Sequence, residues 1–178
     1  SQNVLDPVDI AGWHLDDVAA KAESATIHRE HGTAITMVDA SFREAGGSLS
    51  QAPNLGAQLR QRTHVDGPVS AYLVLRWALG SDPATDNAGG PAKIGVYKTR
   101  QLLSTADPVA YVHLVATVVD AQSGKVVTSR NYIGTAGAPV CTETLNGFQW
   151  KDRWADLSEE QHQIVKSTIT RLVDACTR

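Results

Sequence analysis

No apolar run in this 178-residue chain approaches the ~20 residues that an α-helix needs to cross a bilayer. No long lysine or arginine run occurs either, and the formal net charge is −3. The electrostatic footprint of a nucleic-acid binder is therefore missing. Motifs of common chemistries are missing too. The glycines of "NAGGPAKIGVY" precede Lys93 but match no phosphate loop, and they lead into a strand, not a helix. The acidic pairs Asp16/Asp17, Asp82/Asp86 and Glu159/Glu160 are scattered and compose no paired-carboxylate site. Cysteine is limited to Cys141 and Cys176. Cys141 sits in "GAPVCTET", without a nucleophile signature. Its one candidate base, His113, lies inside the most apolar strand, where a hydrogen-bonded core histidine fits better. The sequence thus assigns no catalytic residue, no metal site and no cofactor. The chain also starts at Ser1 without Met, which reads as a removed start. A signal peptide or lipid anchor could have been lost with it.

What is present fits an ordinary globular domain. Hydrophobic residues make up 42% and charged residues 20%. The length suits a single domain, residues 1–178, with a substantial core. Residues 1–12 read as extended. "WHLDDVAAKAES" predicts a short helix from about Trp13, with Val18 and Ala22 spaced i, i+4. Ala25–Arg29 and Ala34–Asp39 read as short strands around a turn at Gly32. "FREAGGSLSQAP" is a loop, and a helix follows from about Asn54 to His64, carried by Leu55 and Leu59.

The second half is clearer. Strands are predicted at Ser70–Gly80, Lys93–Leu103, Asp107–Asp120 and Lys125–Gly134, with a polar loop at Ser81–Ala92. The third is apolar on both faces, which places it centrally. Asp120, Ser123 and Gly124 supply the turn before the fourth. "LSEEQHQIVKSTITRLVDAC" is a helix with Ser158 and Gln161 as a capping box. Ile164, Val165, Ile169, Leu172, Val173 and Cys176 form its stripe. The predicted class is α+β. An antiparallel sheet of at least four strands forms a meander, with the C-terminal helix and the second helix packed on one face.

The segments "AYLVLRWALG" and "VHLVATVVDAQSGKVVTS" (Ala71–Gly80 and Val112–Ser129), followed by this helix, resemble small bacterial envelope proteins related to the CsgG and TolB N-terminal domains. "IGVY" (Ile94–Tyr97) and "WKDRWADLSEEQ" (Trp150–Gln161) are similar to uncharacterised exported lipoproteins. The likeness covers roughly the second 110 residues. It implies an exported, periplasmic or outer-membrane-associated, non-enzymatic protein. Such a protein acts in assembly or transport by protein–protein contact. A homo-oligomer is a separate expectation for this chain.

Three features carry the remaining expectations. Cys141 and Cys176 suit a disulfide and hence an oxidising compartment, with two buried thiols as the alternative. The loop of about 36 residues would make that bond worth roughly 3–4 kcal/mol. Phe148, Trp150, Arg153 and Trp154 in "FQWKDRW" are a candidate binding surface, weighed against a hydrophobic lid over the core. "HREH" (His28–His31) is the alternative, a metal- or small-ligand-binding region. On a helix His28 and His31 share a face, but on the predicted strand they do not. Lys98, Arg100 and Arg130 could form a modest basic patch on a solvated sheet face.

Overall fold

The first long element begins where Ala11–Trp13 make a single 3₁₀ turn and His14 takes a left-handed conformation (φ 52°). α1 then runs over Leu15–His31. Asp16 and Asp17 sit in its first turn, where the helix dipole favours negative charge. The computed structural model describes residues 8–32, 55–63, 67–77, 94–97, 100–101, 104–105, 107–132, 141–151 and 153–177. Helix α1 corrects the expected strand at Ala25–Arg29. Four alanines between residues 19 and 25 favour helix. Thr26, though β-prone, donates its hydroxyl to the Ala22 carbonyl at 3.2 Å. Gly32 (φ 103°) ends the helix and is not a hairpin turn. The expected Ala34–Asp39 strand and the Ser81–Ala92 loop lie outside the described residues.

The other helices among the described residues are α2 (Leu55–Arg62) and α3 (Glu159–Cys176). The strands are β1 (Ala71–Trp77), β2 (Ile94–Tyr97), β3 (Arg100–Gln101), β4 (Ser104–Thr105), β5 (Val109–Val112), β6 (Leu114–Asp120), β7 (Val126–Tyr132) and β8 (Thr142–Thr144). The α+β class is as expected, but the described residues do not show the four-strand meander. Among them two three-stranded antiparallel sheets form, β1-β6-β7 and β2-β5-β8, beside a small β3-β4 hairpin. The predicted third strand is central in both, because it divides at His113 into β5 and β6. The reason is length. The seven residues of β1 cover only Leu114–Asp120, so the shorter β2 and β8 flank Val109–Val112.

Successive side chains of a strand point to opposite faces. Ala110, Val112 and Leu114 enter one apolar cluster, with Leu15 and Ala19 of α1 and Val165, Ile169, Leu172 and Val173 of α3. Val119 and Ala121 enter a second cluster, with Tyr72 and Val74 of β1 and Leu55 and Leu59 of α2. The register agrees, since Tyr72 lies opposite Val119. Thus α2 packs on the face of the β1-β6-β7 sheet opposite to the main core. It does not share a face with α3 as expected, because the two faces of β6 are both apolar.

The β6–β7 turn forms as its residues require. Asp120 Oδ1 accepts from both the backbone N–H and the hydroxyl of Ser123, each at 2.6 Å. Gly124 adopts φ 67°, a conformation that costs glycine little. A Cβ on Gly124 would come within 3.0 Å of the Gly56 Cα, so α2 meets this turn glycine against glycine. Three residues after Gly124, β7 bulges. Val118 opposes Thr128 while Val119 opposes Val126, which leaves Val127 as the extra residue, 66% exposed.

Candidate functional site

Ser158 caps α3 as expected. Its hydroxyl accepts from the Gln161 N–H at 3.3 Å, and the Gln161 side chain accepts from the Ser158 N–H at 2.9 Å. The same Gln161 amide donates to the Gln149 carbonyl at 3.0 Å. The cap therefore also ties the helix to the connection that precedes it. Val165, Ile169, Leu172 and Val173 are buried as the stripe predicts. Ile164, at the border of that stripe, is 41% exposed.

The connection between β8 and α3 carries the aromatic segment. Phe148 is buried, and Trp150 and Trp154 pack partly buried against the main core. Phe148 and Trp150 are neighbours, with ring centroids 6.1 Å apart. Trp154 stacks on His162 of α3 at 4.3 Å and meets Trp13 at 6.0 Å. His162 Nε2 lies 2.8 Å from the Trp154 carbonyl, which can only accept, so this nitrogen carries the proton. His162 is a residue that sequence reasoning missed. Its signal was its spacing of eight from Trp154 across the helix start. Arg153 is exposed and forks onto Asp156 at 2.9 and 2.8 Å. Its guanidinium holds the Asp156 carboxyl below the usual range. Glu159 is lowered too, first by the Gln163 amide and then by His162. The rings of the segment thus turn toward the core as a lid, and Arg153 closes on its own turn.

Beside this lid is an open groove of about 510 Å³. Glu143 and Thr144 of β8 form one wall, and Glu160, Ile164 and Thr168 of α3 the other, with Phe148 between them. Glu143 is also ion-paired with Arg171 of α3. Cys141, just before β8, is disulfide-bonded to Cys176 at the end of α3, with Cα atoms 5.8 Å apart. The bond ties the start of β8 to the end of α3 and occupies the sulfur that a Cys141 nucleophile would use. It is compatible with an oxidising, extracytoplasmic compartment.

The His28–His31 region lies in the last turns of α1. Helical spacing puts the two positions on one face, unlike the strand reading. Among the described residues no group of three His, Cys, Asp or Glu is arranged to hold a metal ion. No helix of the described residues is long and apolar enough to cross a membrane. The candidate basic patch of Lys98, Arg100 and Arg130 lies outside the described side chains. No protein-family model, curated protein or solved structure matches this chain.

Proposed function

We propose that this chain is a non-enzymatic exported protein, periplasmic or outer-membrane-associated, that serves envelope assembly or transport through protein–protein contact. The likeness to CsgG and TolB N-terminal domains and to exported lipoproteins points the same way. The observation that carries the reading is the Cys141–Cys176 disulfide. Such bonds persist in oxidising compartments and are rare where thioredoxin and glutathione keep thiols reduced. The alternative, a periplasmic small-ligand or metal-binding protein, has weaker support, because the Phe148–Trp154 rings are spent on core packing.

The test is thiol trapping in the native cells. Cells are quenched in acid, free thiols are alkylated with a mass-tagged maleimide, and the chain is resolved without reductant. Full protection of both cysteines in the envelope fraction is expected. A population with two free thiols would sink the export reading.

A further inference from the structure

The groove between β8 and α3 is bordered by a strand edge that no described strand pairs. Cys141 presents its carbonyl to Val112 at 2.9 Å, and Leu145 donates to the Pro108 carbonyl at 2.8 Å. Backbone groups alternate sides along an antiparallel strand. Thr142 and Thr144 therefore direct their N–H and C=O groups to the outer edge of β8. No described strand pairs there, since β8 is outermost in its sheet. Such an edge is a template for another strand.

The opposite wall adds selectivity. Ile164 is exposed and apolar, one turn from Glu160 on the same helix face. The lining contains two carboxylates, Glu143 and Glu160, and no lysine or arginine. Arg171 already compensates Glu143. Among the described residues Glu160 has no ion-pair partner and is met only by the positive end of the α3 dipole, so the groove offers a carboxylate to a cationic side chain. The disulfide and the Glu143–Arg171 pair fix the spacing of the two walls, which lowers the ordering cost of binding.

We infer that this groove receives an extended segment of a protein partner, added antiparallel or parallel to β8, with an aliphatic residue against Ile164 and a lysine or arginine against Glu160. The inference rests on the protein-contact reading above and names its site and partner chemistry.

The probe is a fluorescein-labelled eight-residue peptide of alternating lysine and valine, followed by anisotropy with the oxidised full chain. Its counterpart alternates glutamate and valine. Saturable binding of the lysine peptide is expected, at least tenfold tighter than that of the glutamate peptide. Ile164→Glu and Glu160→Lys should each weaken it tenfold or more, and the milder Ile164→Ala and Glu160→Gln should weaken it in the same order. N-methylation of alternate amides along one edge of the peptide should abolish binding, while methylation along the other edge leaves it. No saturable binding, equal binding of both peptides, or indifference to the milder pair overturns the inference. So does a dimer in sedimentation that Ile164→Ala dissociates, which would assign the groove to a second copy. A chain reduced in cells but binding the peptide would sink the export reading alone. An oxidised chain that ignores the peptide would sink the groove alone.

Discussion

Asp120 holds the β6–β7 turn with hydrogen bonds from Ser123, and those bonds lower its carboxyl below the usual range. A carboxyl depressed by folding adds stability that is complete above its unfolded value, about 3.9, and is lost as pH falls through the folded value. Asp156 and Glu159, lowered by Arg153 and by Gln163 respectively, act in the same sense. We expect the thermal midpoint to fall on acidification below about pH 4. Asp120→Asn should make that acid limb shallower, since the uncharged amide no longer titrates. A limb of identical slope in a melting series from pH 6 to pH 2 would refute this. The turn was legible beforehand because its signal is local: an acceptor, a hydroxyl and a glycine within five residues. Ile164 was not, because position at the border of a helical stripe does not decide exposure. What packs beside it decides.

Among the elements, α3 was read correctly from its cap and its stripe, both encoded within one stretch. Helix α1 was cut short because the β-branched Thr26 and Ile27 read as β-prone when taken alone. The alanine-rich turns before them and the docking of Leu15 and Ala19 on the core outweigh that preference. The seat of α2 was hidden for a different reason. It depends on Gly56 meeting Gly124, positions far apart in the chain. Gly56→Ala would drive a methyl into the Gly124 backbone, so we expect a loss of about 1–3 kcal/mol. Urea unfolding measures it, and a wild-type midpoint would show that α2 can shift without cost. The Cys141–Cys176 bond joins the start of β8 to the end of α3. Replacing both cysteines with serine should cost roughly 3–4 kcal/mol by removing the constraint on the unfolded loop. The same urea experiment checks it, and a cost near zero would mean that the loop is already ordered when unfolded.

For the whole molecule, class was legible and sheet plan was not. Apolar residues on both faces of Asp107–Asp120 announced a central strand, but nothing in it announced that its neighbours change at His113. The groove was equally invisible, since β8, Phe148 and Ile164 become neighbours only when α3 folds back over the sheet. Metal binding is a question at this scale. His28 and His31 offer two adjacent positions on one helix, and a tight zinc site takes three or four protein ligands. We expect added Zn²⁺ to leave the melting temperature unchanged, in the parent chain and in His28→Ala alike. A zinc-dependent rise lost in His28→Ala would restore the metal reading.

The division of one backbone run between two sheets has a further result. Residues 109–120 are the middle strand of both, so neither sheet can lose its centre without disturbing the other. Opening events in proteins usually follow units that can detach by themselves. Here the two sheets own no such boundary. Amide protons of β1, which belong to one sheet, and of β2, which belong to the other, should exchange with solvent through a common opening and respond to denaturant with the same slope. The joint at His113 thus acts as a shared axle: two small sheets turn over together, as one cooperative body.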